Sequence, residues 1–334
     1  MSFAPRDARF LLALTTAAAP VVGHALGQYW HAFFVFWVVV PALDFLAGRS
    51  ARADAAEEMQ RLERSPFFRL LLHAWVPLQL GLIGWGAWLV GTAGVSGFDA
   101  VLFTLSVGLA TGGAGITIAH ELGHKRPVLD RLLSRALLVT VSYGHFTVEH
   151  NRGHHVRVAT PEDPASARYG EAFWAFLPRT LFGSLAHAWA LDRREVLGSW
   201  AATLALAAAL GAAFGPLAVV FFFGQSAMAI VLLEAVNYIE HYGLARRKLP
   251  DGRYERPQPR HAWDAYQWLS NAFLVNLQRH ADHHVNPLRP YAALQPQEDS
   301  PKLPMGYPGM VPLAFLPPLW FAVMNPRVPK AADG

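Results

Sequence analysis

Long apolar stretches alternate with shorter polar ones along this chain, and basic residues mark the boundaries. No Lys or Arg occurs from Phe10 to Gly48, from Leu70 to His124 or from Glu195 to Ala245. Crossing a hydrocarbon core takes about 20 apolar residues at about 1.5 Å of rise each, so each gap has room for two spans. The pattern predicts six transmembrane helices, near 10–27, 30–47, 70–92, 99–119, 198–214 and 216–238. The expected fold class is all-α: one integral-membrane domain over 1–334, with a histidine-rich cap built from the cytoplasmic segments 120–197 and 239–334.

Charge gives the orientation. The short links Gly27–Trp30 and Thr92–Phe98 carry no Lys or Arg. The other side receives Arg6, Arg9, Arg49, Arg52, Lys125, Arg126 and everything after Arg246. By the positive-inside rule both termini and the large loops are cytoplasmic. The first apolar segment lies too close to its hairpin partner, and lacks an A-x-A-like site, to read as a removable signal peptide. Only 16% of the residues are charged, against roughly 25% in soluble domains. The net charge of +4 then describes a basic cytoplasmic face. Such a face suits anionic membrane lipids or an acidic soluble partner, although orientation alone also accounts for it. Nothing in the chain calls for nucleic acid. The absence of cysteine excludes disulfides and thiolate metal sites.

Against that background the histidines stand out. Nine of the 15 fall into four motifs, all on the cytoplasmic side. "HELGHK" carries His120 and His124, which as i and i+4 share a helical face. "EHNRGHH" carries His150 and His154 on one expected face, with His155 one step of about 100° around it. "NYIEHYG" carries His241. "LQRHADHH" carries His280, His283 and His284, whose i, i+3, i+4 spacing brings three rings to one spot if the segment is helical. Neutral imidazoles so gathered bind first-row transition metals. H-E-x-x-H alone is also the zinc-protease signature, with Glu121 as general base. A protease zinc, however, takes three protein ligands and one open position. Nine histidines are too many for one ion and enough for two.

Carboxylates beside the motifs, Glu121, Glu149, Asp163, Glu240 and Asp282, are candidate acceptors for ring N–H groups. His145 lies five residues before His150 and is expected just outside the ligand set. Glu234 and Asn237 precede His241 on nearly its own face, and a carboxylate at membrane depth should face the bundle interior. His24, His31, His73, His187 and His261 are expected to be packing or interface residues. The aromatic run Phe33–Trp37 in the second span offers Phe33, Phe36 and Trp37 as candidate walls of a substrate channel.

The motifs with their flanks, "HELGHK", "EHNRGHHVRVATPEDPAS", "NYIEHYGLARRKLPDGRYERPQPRH" and "LQRHADHHVNPLRPYAAL", closely resemble the bacterial membrane alkane 1-monooxygenases, from about Pro41 to Val328. The resemblance implies a six-helix bundle under a cytoplasmic catalytic cap in the bacterial inner membrane, similar to membrane fatty-acid desaturases. It implies two iron ions held by His120, His124, His150, His154, His155, His241, His280, His283 and His284. It implies hydroxylation of the terminal methyl of a medium- or long-chain alkane by O2. The electrons would come from rubredoxin and an NAD(P)H-dependent reductase. Some relatives carry a fused rubredoxin; with no cysteine in this chain, the donor is expected to be a separate protein. The segment before the first span is short, and Thr117 stands where many relatives have Asn. Methyl hydroxylation of an alkylaromatic, as in xylene monooxygenase, and lipid desaturation are the near alternatives. A membrane metal-binding or transport protein and a zinc protease are the distant ones.

Overall fold

The computed structural model describes residues 4–329. Among them no strand forms, and the only β-like contacts are three isolated bridges, Arg49 with Gln267, Lys248 with Tyr254 and Asp264 with Lys302. Four helices are long and apolar enough to cross a membrane: Pro66–Gly91, Gly97–Gly123, Phe173–Phe214 and Pro216–His241. A fifth crossing exists if Pro5–Thr15 and Ala18–Ala25, bent by 55° at the break between them, act as one. The remaining expected span is the helix His31–Ala47. Its length, about 25 Å at 1.5 Å per residue, falls short of a core of about 30 Å. All six apolar segments are helical, then, but the crossings supported by length number four or five rather than six.

The Phe173–Phe214 helix departs most from expectation, starting at Phe173 rather than near 198. Arg179, Asp192, Arg193, Arg194 and Glu195 break the apolar pattern there without breaking the helix; Asp192 alone leaves helical dihedrals (φ −158°, ψ 81°) and makes a kink. Much of the presumed cytoplasmic loop is thus helix, packed on the histidine-bearing segments through Val148, Ala188 and Val196.

Small residues set how closely the helices approach. A Cβ on Gly108 would lie 2.6 Å from the Gln225 carbonyl oxygen, and one on Gly112 2.7 Å from the Ala229 Cα. The helix ending in His120 and His124 therefore lies directly on the one ending in His241, as small residues allow in membrane bundles. Gly215 turns the chain between Phe173–Phe214 and Pro216–His241 at φ +89°, which Gly adopts without strain, and Pro216 opens the next helix where its missing N–H costs nothing. A buried amide layer joins four helices. Gln79 Nε2 donates to Thr140 Oγ1 (2.7 Å), Gln225 Nε2 to the Thr140 carbonyl (2.8 Å), and Thr111 Oγ1 to Gln225 Oε1 (2.8 Å). Leaving such groups unpaired would be costly. Two apolar clusters include neighbours of the histidines in sequence, one around Phe68, Trp75 and Tyr291 with Ala119 and Leu122, and one around Tyr238, Trp263 and Trp320 with Tyr242.

Candidate metal centre

Helix ends and π-turns deliver the histidines. The Gly97–Ala110 helix widens into a π-turn at Thr111–Ile116 before Thr117–Gly123, which carries His120 and leads into His124. A second π-turn spans His150–His154; such turns occur frequently at functional sites. His241 is the last residue of its helix. The short helix His280–Val285 is pinned at its start by Asp264, whose carboxylate accepts from the Ala281 N–H at 2.8 Å.

The nine rings fall into two groups, within each of which the candidate ligand atoms lie within 4.8 Å of one another. One holds His120, His124, His150, His155 and His283; the other holds His154, His241, His280 and His284. Their Nε2 atoms converge. His120 and His124 approach to 3.2 Å, His150 and His155 to 3.0 Å, and His155 and His283 to 3.2 Å. In the second group His280 Nε2 is 2.9 Å from that of His284 and 3.1 Å from that of His241, and His154 is 3.3 Å from His284. One nitrogen carries at most one proton, so His280 can share a hydrogen with only one of its neighbours. Metal–imidazole bonds of about 2.1 Å at right angles would put ligand atoms about 3 Å apart. The donor set therefore fits two metal ions.

Electrostatics agree. Burial, reinforced by the other charges nearby, moves His124, His150, His155, His280, His283 and His284 well below the usual imidazole range. Each stays neutral and keeps a lone pair to give. His154 differs. Burial pulls it down, but the Asp163 carboxylate, 2.9 Å from its Nδ1, together with Glu149 and Glu240 outweighs burial and the net shift is upward. The same contact keeps a proton on Nδ1 and leaves Nε2 turned inward.

The division into groups corrects two expectations. His150 serves with His155 rather than His154, because a π-turn bonds i to i+5 and so brings His155 beneath His150. His283 leaves its neighbours: His280 and His284 join one group and His283 the other, so this helix straddles both.

The nearby carboxylates divide too. Asp163 holds His154, and Glu240 Oε2 lies 3.2 Å from His280 Nε2 while its Oε1 accepts from Tyr307 OH at 2.8 Å. Glu121, Glu149 and Asp282 do not hold ligand rings. Each adjoins a histidine in sequence and so points about 100° away from it. Glu121 pairs with Lys125 (2.7 Å) and accepts from the Tyr291 N–H (2.9 Å). With those bonds it is not poised as a protease base. Glu149 faces His187 at 3.4 Å. Asp282 takes Arg289 at 2.6 Å and the Gln295 N–H at 2.8 Å, fastening the following loop to the ligand helix. Glu234 is bonded by Tyr143 OH (2.7 Å), Thr180 Oγ1 (2.8 Å) and Asn237 Nδ2 (3.1 Å). His145 is buried against the Tyr143 ring with neither nitrogen bonded. His73 binds Asp130 at 2.7 Å, and His24 sits 3.2 Å from Tyr29 OH. Sequence reasoning missed two supports: the His261 carbonyl, which accepts from His241 Nδ1 at 3.1 Å, and Tyr307 behind Glu240. The first is backbone and carries no residue-type signal at all.

An apolar cavity of about 100 Å³ opens onto both groups, reaching His120 and His150 of one and His280 of the other. Phe36 and Trp37 line it. Phe33 does not; it packs against Trp37, with ring centroids 5.1 Å apart and the planes tilted by 58°. Asn237, Glu240 and Tyr307 give the wall its few polar atoms near the rings.

The comparisons agree with this geometry. Residues 96–314 match the Fatty acid desaturase family model. Alkane 1-monooxygenase 2 of Pseudomonas aeruginosa is 42% identical over 90% of this chain and 84% of its own length. The alkane 1-monooxygenase of Acinetobacter baylyi is 39% identical over 98% and 79%. The xylene/toluene monooxygenase hydroxylase component XylM of Pseudomonas putida is more distant, at 24% over 97% and 89%. A chain with two convergent imidazole groups at the ends of membrane helices, and this much identity over nearly its whole length, belongs to the alkane 1-monooxygenase family.

Proposed function

We propose that the protein hydroxylates the terminal methyl of an alkane: R–CH3 + O2 + 2 e⁻ + 2 H⁺ → R–CH2OH + H2O. One observation carries the reading. A single cavity, walled almost wholly by apolar side chains, reaches rings of both histidine groups. An alkane offers nothing to hydrogen-bond, so only shape can select one carbon. A narrow apolar bore presents a chain end first.

In this reading His120, His124, His150, His155 and His283 hold one iron and His154, His241, His280 and His284 the other. Bound iron supplies the O2 and one-electron chemistry that side chains lack. The protein does the rest. Asp163 fixes the tautomer of His154, and the His261 carbonyl that of His241. Leu109, Ile116, Leu233 and Val311 keep the bore dry, and the Tyr307 hydroxyl holds the Glu240 carboxylate beside His280.

The bent N-terminal pair and His31–Ala47 complete six crossings in this reading, and the histidine end faces the cytoplasm from the bacterial inner membrane. The support is the crowding of Lys and Arg at that end. Electrons arrive from a separate rubredoxin served by an NAD(P)H-dependent reductase. Their entry is a polar groove of about 170 Å³ at Gly123 and Asn151, rimmed by Arg131, Arg135 and Arg152 together with Glu195, which pairs with Arg135 at 2.6 Å, and Asp192, 3.4 Å from Arg152, so that its net charge is that of one arginine. Gly123 and Asn151 adjoin His124 and His150, which makes this groove a short way in to the five-histidine group.

Gas-chromatographic product analysis of cells fed alkanes, xylene and fatty acids tests the reading. Terminal 1-alkanols are expected. A methylbenzyl alcohol from xylene with no alkanol would replace the alkane by an alkylaromatic, and new double bonds in fatty acids would make the chain a desaturase.

A further inference from the structure

A second cavity, of about 480 Å³, lies away from the one just described, with Arg9, Arg52, Asp54, Trp268 and Arg279 on its wall. Arg279 is the unusual member. It is 4% exposed, yet among the described residues it has no ion pair. Its guanidinium donates only to neutral carbonyls, those of Leu294 and Ser50, and Nε has no partner. Asp54, Asp264 and Asp282 attract it only from beyond ion-pair distance, and a buried charge with no partner in contact is costly.

The other charges at the rim do not supply one. Asp7 and Glu58 are taken by Arg61, at 2.7 and 2.6 Å, and Glu58 also by Arg6. Arg9 rests over its neighbour Phe10 at 4.6 Å, and neither Arg9 nor Arg52 has an ion pair among the described residues. Asp54 accepts from Gln295 Nε2 at 3.3 Å. With those pairs set aside, three guanidinium groups (Arg9, Arg52, Arg279) face one carboxylate (Asp54), a surplus of two positive charges around an open space.

We propose that this cavity binds a phosphate group, carried by a phospholipid or free in solution. Planar guanidinium groups match phosphate oxygens in pairs, and a phosphate supplies the charge that the cavity lacks. The surroundings also suit a lipid. Trp268, whose backbone N–H donates to the Gly48 carbonyl at 3.1 Å, follows closely on the end of His31–Ala47, where Phe45 and Leu46 are 88% and 78% exposed. An indole beside bare apolar side chains is the usual furnishing of a membrane interface. The occupied site would brace the ligand set, because Arg279 immediately precedes His280 and Ser50 belongs to the segment after the second apolar helix.

The test uses the full-length, metal-loaded protein, delipidated in a neutral detergent. Thermal unfolding is followed with inorganic phosphate, with phosphatidylcholine vesicles and with vesicles containing phosphatidic acid. The wild type is expected to gain several degrees from phosphate or from phosphatidic acid. The double variant Arg9→Gln/Arg52→Gln, which removes no ion pair, should bind at least about tenfold more weakly, as loss of charge-assisted hydrogen bonds implies. Arg135→Gln, in the groove beside Gly123, should keep the full shift. A shift with phosphatidic acid alone assigns the site to a headgroup; a shift with phosphate as well assigns it to the anion itself. No shift with either, an equal shift in the double variant, or an equal loss in Arg135→Gln would overturn the proposal. None of these readouts depends on which substrate the enzyme oxidises.

Discussion

In the four-histidine group two rings are held from behind, His154 by the Asp163 carboxylate and His241 by the His261 carbonyl. In the five-histidine group, among the described residues, no ring nitrogen bonds to a carboxylate or a carbonyl. That group is positioned through the backbone instead. Asn151 Nδ2 donates to the Gly123 carbonyl at 3.1 Å and ties the His150 segment to that of His124, while Ser134 Oγ donates to the Ala119 carbonyl at 2.6 Å beside His120. Ring packing adds to this, with His150 stacked on Phe146 at 4.8 Å. Exposure follows the same division. All four rings of the smaller group are buried, and His155 of the larger group is partly exposed. A deep group held by polar partners and a shallower one held by its chain suggest a division of labour, with electrons entering at the shallower.

The largest effect that could break this comparison is loss of a ligand. His154→Ala and His150→Ala should each abolish hydroxylation while the protein still inserts in the membrane. His154→Ala leaves three rings in its group and should lower iron from about two per chain toward one, whereas His150→Ala leaves four, as many as the other group has, and should lose activity with a smaller loss of iron. His187→Ala and His73→Ala should keep both irons and activity. Full iron content in His154→Ala would dissolve the two groups as independent sites.

Asp163→Asn comes next. It keeps size but removes the charge behind His154, and outer partners of metal-bound histidines are worth about 10–100-fold in affinity or activity. Iron titration of the apoprotein should show one weakened site and one unchanged. Glu149→Gln, one residue from His150 but turned toward His187, should change neither. Equal weakening of both sites by Asp163→Asn would mean that the groups share one set of supports.

A smaller effect concerns electron entry. Exposed charges are screened beyond about 8–10 Å at 0.1–0.15 M salt. Raising salt should therefore slow reduction by an acidic rubredoxin severalfold, and Arg152→Glu should slow it at low salt and lose most of the salt dependence. If the association rate ignores both changes, the groove beside Gly123 and Asn151 is not the entrance.

The nine histidines were legible because spacing alone gathers them: i and i+4 in "HELGHK", then two more runs and His241. Their division was not legible. It depends on the π-turn at His150–His154, which shifts register by one residue, and nothing in "EHNRG" announces a π-turn rather than an α-turn. Of the five outer carboxylates, Asp163 and Glu240 meet ligand rings, and the other three fail for a related reason: proximity in sequence put Glu121, Glu149 and Asp282 on the wrong side of their helices. Asp163, nine residues from His154, reaches it through a turn after the helix. In the fold, apolar gaps found all four helices long and apolar enough to cross a membrane. They missed the first half of Phe173–Phe214, because a helix whose apolar pattern is broken by five charged residues reads as a loop to any hydropathy argument.

The least effect is expected in the second apolar helix, where a third π-turn, Val35–Val39, again decides which residues meet the site. On an α-helix Phe33 and Trp37 share a face and Phe36 points elsewhere. With the turn widened, the neighbours Phe36 and Trp37 both reach the cavity and Phe33 retreats behind Trp37. Trp37 packs on Phe315 at 6.2 Å and Phe36 on Phe273 at 6.1 Å, so each ring is fixed in place and its removal leaves space rather than slack. Each methylene that the cavity can newly bury is worth about 0.8 kcal/mol, or about fourfold in kcat/KM. Trp37→Ser and Phe36→Ser should therefore shift preference toward longer alkanes while oxidation stays at the terminal carbon. Phe33→Ser should keep the parent's length profile. Rates measured over alkanes of graded length decide the matter. A shift in Phe33→Ser with none in the other two would place the substrate path on the other side of this helix, away from the cavity that joins the two histidine groups.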